Sequence, residues 1–297
     1  MATAELQLNP PPPDAAEREG ASREWRTFWK NPLAWFGVIV LLLLVLFSFV
    51  GPLLYHANPY TPNLTDTLAP PGGQYPLGTD SLGRDVLIRM MVGGQLSLEV
   101  GFAAALVTMV IGVVYGLISG YVGGWVDVVM MRIVDILYAI PGLFLLLFLD
   151  SVFRPNATLL VFVIAVVSWF GVARLVRGEV LSLKQREYVE AARALGTGNL
   201  RIMLRHLLPN VMGVVVVATT LQVANAILTV AGLSFLGLGL PPPTPNWGEM
   251  LSSSMNYMFQ NAWWLIYPPG LAILLVELSV NFIGDALRQA FDPRLRS

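Results

Sequence analysis

Six stretches of this chain are apolar over about twenty residues, the length that a helix rising 1.5 Å per residue needs to cross the hydrocarbon of a bilayer. They run over 33–55, 98–120, 133–153, 157–176, 211–236 and 263–286. Lipid offers the backbone no hydrogen-bond partners, so such runs close their bonds internally as helices. A barrel would show alternating strands of roughly ten residues, and none is visible. The chain therefore reads as an all-α integral membrane protein with six transmembrane helices. Its composition agrees, with 55% hydrophobic and only 12% charged residues, against roughly a quarter charged in soluble domains.

The few charges orient the bundle. With the N-terminus inside, fifteen of the eighteen Lys and Arg fall on the cytoplasmic side, and only Arg84, Arg89 and Arg154 fall outside. That asymmetry follows the positive-inside rule and places both termini of a multi-pass membrane protein in the cytoplasm. The boundaries are a Pro-rich disordered cytoplasmic tail (1–32), a first transmembrane helix (33–55), an external segment (56–96), a five-helix core (97–287) containing a cytoplasmic loop (179–210), and a cytoplasmic tail (288–297). The first apolar run is long enough to span and reads as retained, not as a cleaved signal. In the external segment Asp80 is placed to cap a helix starting near Leu82. The second external stretch, Gly239 to Trp263, has aromatics and no basic residue, which suits a segment lying on the outer interface.

Several chemistries are excluded. There is no cysteine, hence no disulfide, thiolate metal site or thiol nucleophile. His56 and His206 are far apart and lack carboxylates at ligand spacing, so no metal site is expected. No GxxxxGK[ST] loop and no clustered nucleophile and base occur, so no catalytic residue is expected and the chain reads as a non-enzyme.

The cytoplasmic stretch Glu187 to Asn210, EYVEAARALGTGNLRIMLRHLLPN, interrupts the apolar pattern. Tyr188, Ala191, Ala192 and Leu195 recur at helical spacing, with Glu187 and Glu190 in early turns where a carboxylate suits the helix dipole. Gly196 and Gly198 break that helix. Leu200, Met203, Leu204, Leu207 and Leu208 form a second stripe, Arg201 and Arg205 share another face, and Pro209 is expected to end it. A helical hairpin at the membrane face results. It could pack on its own bundle or on headgroups, but the first helix shows alanines where a lipid-binding helix would show Leu, Phe or Trp, and small residues favour close seating against protein.

The pattern Glu190, Ala191, Ala192, Gly196, then His206, Leu207, Leu208, Pro209 resembles the EAA loop of ABC importer membrane subunits. With PLGTDSLGRDVLIRMMVG (Pro76 to Gly93), MRIVDILYAIPGL (Met131 to Leu143), LSFLGLGLPPPTPNWGEML (Leu233 to Leu251) and NFIGDALRQAFDPRLR (Asn281 to Arg296), the chain resembles the C-type permease of the dipeptide, oligopeptide and nickel family from Asn31 onward. The resemblance implies the type I ABC importer permease fold in a prokaryotic cell (inner or plasma) membrane. It also implies an EAA coupling helix seated on a cytoplasmic ATPase, with Glu190, Ala191, Ala192, Leu195, Gly196, Arg205, Leu207 and Pro209 as the coupling residues. The implied partners are a homologous permease subunit in a heterodimer, two ATPase subunits and an external substrate-binding protein. No cofactor is expected in this chain, because ATP and Mg would sit in the ATPase partners. Dipeptides or oligopeptides are the expected substrates, with nickel or glutathione as alternatives within the family. An autonomous secondary transporter or channel would instead show repeated broken spans, and no repeat is visible.

Polar residues at membrane depth must face protein or a wet cavity. Gln222, Asn225 and Thr229 in the fifth span, near Thr219 and Thr220, are candidates for a translocation path or for helix-to-helix bonds. Glu277 lies in an apolar run where members of the resembled family usually have an uncharged residue. Val230 stands where the family commonly has a glutamate, for which Glu277 could compensate. Asp135 is expected to pair with Arg132, and Asp150 is a further acid to weigh.

Overall fold

The computed structural model describes residues 26–153 and 156–291, the side chain of Asp150 excepted. The expected N-terminal tail up to residue 25, Arg154 and the last six residues lie outside the described residues. Helix α1 (Pro32–Phe49) starts on Asn31, whose side chain accepts the Leu33 N–H at 2.9 Å. Pro32 occupies the first turn, where its missing N–H leaves no bond unmade.

Helix α2 (Val86–Val122) runs for 37 residues, ~55 Å at 1.5 Å per residue. It begins a dozen residues before the expected span, and its N-cap is Asp85, which accepts from the Leu87 N–H at 2.7 Å. Asp80 instead closes the preceding turn by accepting from the N–H groups of Leu82 (2.8 Å) and Arg84 (3.0 Å).

The expected third span is two helices, α3 (Gly124–Tyr138) and α4 (Gly142–Phe153), bent by 81°. Pro141 supplies the reason: it has no N–H to continue the ladder, and its ring disfavours helical geometry at Ile140. Helix α5 (Ala157–Leu183) starts on Asn156, whose side chain takes the Leu159 N–H at 2.8 Å.

Helix α6 (Glu187–Ala194) and a turn lead to α7 (Asn199–Ile202), which passes through a π-helical turn (Met203–Leu207) into α8 (Leu208–Phe235). Pro209 thus does not end the hairpin's second arm. It sits in the first turn of α8, the widened turn accommodates its ring, and the Asn210 side chain donates to the His206 carbonyl at 2.6 Å. The arm and the fifth span form one rod of 37 residues, 199–235. Helices α9 (Trp247–Ser254) and α10 (Trp263–Phe291) complete the chain.

Among the described residues, five helices are long and apolar enough to cross a membrane, and the bent α3–α4 pair makes a sixth. α2 and α5 are the most closely packed pair, through Gly112, Gly116 and Gly120. A Cβ at these positions would lie 2.6 Å from Val172 Cβ, 2.6 Å from the Ala173 carbonyl oxygen and 2.9 Å from Val180 Cβ. Backbones this close are the signature of small-residue packing in membranes. Within the second external stretch helix α9 turns a face inward, while Phe259 and Trp263 beyond it stay exposed. Trp247 is fully buried, and its indole N–H donates to the Met90 carbonyl at 3.0 Å.

Candidate functional site

The hairpin 187–209 is fastened at its root and exposed at its tip. α6 closes with a Schellman arrangement, in which the Thr197 N–H reaches the Ala192 carbonyl (3.1 Å) and the Gly196 N–H reaches that of Arg193 (3.0 Å). Gly196 takes φ +75°, the left-handed conformation this cap needs. Val189, Ile202 and Leu207 are fully buried against Leu117, Tyr121, Val176 and Val180, each contributing roughly 1.5–3 kcal/mol. The Tyr121 hydroxyl donates to Asn199 Oδ1 at 2.8 Å, and the Arg193 guanidinium lies over the Tyr121 ring at 5.9 Å. Lys184 Nζ donates to the Gly120 carbonyl at 2.8 Å, and Arg177 grips Asp127 with Nε at 2.5 Å and Nη2 at 2.6 Å. The hairpin is therefore a rigid extension of α2, α5 and α8.

The eight expected coupling residues divide between two faces. Glu190, Ala191, Leu195, Gly196, Arg205 and Pro209 are exposed, Leu195 at 86%. Ala192 and Leu207 turn inward, at 6% and 0% exposed, so they hold the hairpin and do not line its outer face. Leu200, Leu204, Arg201, Arg205 and Pro209 share a shallow, open depression on the second arm.

Gln222, Asn225 and Thr229 follow one face of α8 at spacings of three and four. Gln222 lines a cavity of about 370 Å³ at the α3–α4 break, with Tyr138, Ile140 and Ser168. Asn225 is exposed, while the Thr229 hydroxyl donates to its own helix at the Asn225 carbonyl, 2.7 Å. Thr219 and Thr220 likewise bond the carbonyls of Val215 and Val217 at 2.7 and 2.8 Å. Glu277 stands apart on α10. Its Oε1 accepts from Asn281 Nδ2 at 3.0 Å, and its Oε2 is buried with no hydrogen bond among the described residues. Val230 is 2% exposed within the main apolar cluster. Asp135 pairs with Arg174 at 2.7 Å, not with Arg132, because Arg174 projects from the adjacent α5 and stacks over Tyr138 at 4.6 Å.

At the opposite end of α2 a four-charge network ties the loop and α9 together. Arg89, 2% exposed, donates through Nη2 to Glu249 Oε2 at 3.1 Å and through Nη1 to the Pro59 carbonyl at 3.1 Å, and its Nε lies 3.4 Å from Asp80 Oδ2. Arg84 meets Asp80 at 2.7 Å. Burial pushes the Glu249 carboxyl up from the ordinary range while Arg89 and Arg84 pull against it. No local pattern announces Arg89 with Glu249, whereas the glycine stripe of α2 is visible as GVVYGLISG.

Residues 112–297 match the family described as "Binding-protein-dependent transport system inner membrane component", and residues 22–71 match "N-terminal TM domain of oligopeptide transport permease C". The chain is 38% identical to the oligopeptide transport system permease protein OppC of Bacillus subtilis, over 97% of each chain. It is 40% identical to the dipeptide transport system permease protein DppC of the same organism, over 92% of this chain and 85% of that one. It is 39% identical to the di/tripeptide transport system permease protein DppC of Pseudomonas aeruginosa, over 92% of each. A helical bundle of five or six spans with these matches along nearly its whole length belongs to the inner-membrane components of binding-protein-dependent transport systems, the permease subunits of ABC importers.

Proposed function

We propose that this chain forms half of a translocation pathway for dipeptides or oligopeptides and is driven through its hairpin by a cytoplasmic ATPase. The observation that carries the reading is the division of the hairpin into a root locked to α2, α5 and α8 and a tip exposed through Leu195 and Gly196. A force applied at the tip reaches the spans without being absorbed by a flexible joint. The outward alanine and glycine allow close seating, and Glu190 offers a charge-assisted hydrogen bond to a donor on the ATPase. The excess of Lys and Arg on the hairpin side supports a cytoplasmic location for it and for both termini. The full assembly has a homologous permease subunit, two ATPase subunits holding ATP and Mg, and an external binding protein. The names of the relatives support peptides as cargo. Gln222, Asn225 and Thr229 supply hydrogen-bonding groups along one face of α8 that suit a peptide backbone.

The test is peptide uptake by the assembled transporter carrying Gly196→Phe. Transport should be abolished and the ATPase subunits should dissociate more readily, with the permease still in the membrane. Normal import by that variant would remove the hairpin from the coupling path.

A further inference from the structure

The last turn of α2 meets the hairpin through Tyr121, and its first turn, ~48 Å away, carries Arg89. Beside Arg89 lies a cavity of about 720 Å³ between α9, the loop 237–242 and the end of α4. Its size falls in the range of small-molecule sites. Ser151, Ser234, Ser252 and Asn256 contribute hydroxyl and amide groups to the wall, and Glu249 contributes a carboxylate. Among the described residues the wall holds no Lys or Arg. The Glu249 side chain is 20% exposed, whereas that of Arg89 is 3% exposed and lies behind it. Two guanidinium groups and two carboxylates balance within the network, so the face turned to the cavity is acidic although the whole is neutral.

We propose that this cavity is the receiving vestibule of the pathway, where Glu249 takes the ammonium group of a peptide's amino terminus. The inference rests on the peptide reading above and adds the end of the peptide that is received first. An ammonium has three donors and no acceptor, which suits a carboxylate flanked by hydroxyl and amide oxygens, whereas a carboxylate terminus finds no cation among the described residues of this wall. Arg89 shares the Glu249 carboxylate and so keeps the hold weak enough for release, as a site on a pathway requires.

The experiment uses the complete transporter in proteoliposomes, with its binding protein loaded with a tripeptide whose affinity for that protein is measured separately. Glu249→Gln keeps an oxygen for Arg89 and removes the charge. Asn256→Lys, at an exposed position that does not burden folding, sets a cation on the same wall. Each variant should lower tripeptide uptake on the order of tenfold, the worth of one charged hydrogen bond, at equal amounts of assembled complex. Undiminished uptake by Asn256→Lys, or by a correctly assembled Glu249→Gln, overturns the vestibule. A wild-type complex that carries no tripeptide overturns the peptide reading itself and the vestibule with it.

Discussion

Gly196 has open space around it: a Cβ there would meet nothing within 4 Å, yet its φ is +75°. A small substitution therefore acts on the backbone alone. Gly196→Ala should loosen the turn by about 1 kcal/mol, seen as faster amide exchange over residues 195–198 with the melting temperature of the permease unchanged. The ion pairs offer a second contrast. Arg89→Met leaves Glu249 without its buried cation, while Asp80 keeps Arg84, and should cost about 3–5 kcal/mol in detergent-solubilised unfolding. Arg174→Met breaks a pair whose side chains are 44% and 50% exposed and should cost less than about 1 kcal/mol. Equal losses from the two would contradict the burial assigned to Arg89. The outward orientation of Glu190 and Ala191 follows from helical spacing, which separates them from the buried Val189. The inward turn of Leu207 was not legible in the sequence, because it depends on the π-helical turn that shifts the phase of the second arm.

Helices are held here by backbone approach as much as by side-chain volume. At position 116 a Cβ would lie 2.6 Å from the Ala173 carbonyl oxygen and 2.8 Å from Val176 Cβ. Gly116→Leu should thus separate α2 from α5 at a cost of about 3 kcal/mol. Val110→Leu, on the 57% exposed face of the same helix, should stay within about 0.5 kcal/mol. The latch between α2 and the hairpin has its own test. Tyr121→Phe removes the bond to Asn199 and should increase the motion of a spin label at position 195 while leaving α2 folded; an unchanged spectrum would mean apolar packing alone holds the root. The apolar spans were readable from length and hydropathy. The first turns of α2 were not, because Arg89, Gly93 and Gly94 dilute them into what resembles a loop. Pro141 and Pro209 look alike as letters, but only the second has the widened turn and the Asn210 amide that let a helix continue. Helix α9 has eight residues, too few for a period to declare which face is buried, so Trp247 read as an interfacial aromatic.

In the whole molecule, large apolar side chains remain exposed along the spans, among them Leu43, Leu106, Phe148 and Leu228 at more than half of their surface. That surface suits lipid and a second permease subunit, while the hairpin tip stands apart from it. The tip combines an 86% exposed leucine with a charged and small-residue face on a locked root, and that combination is what the coupling account requires. The natural chain has no cysteine, so thiols can be introduced one at a time without a background. The most direct measurement is crosslinking between Leu195→Cys and single cysteines on the ATPase surface in a transporter that is importing peptide. The account predicts efficient crosslinking from position 195 and none from Val189→Cys, whose side chain is buried in the root. A complex that imports at the wild-type rate while position 195 forms no crosslink to the ATPase would contradict it.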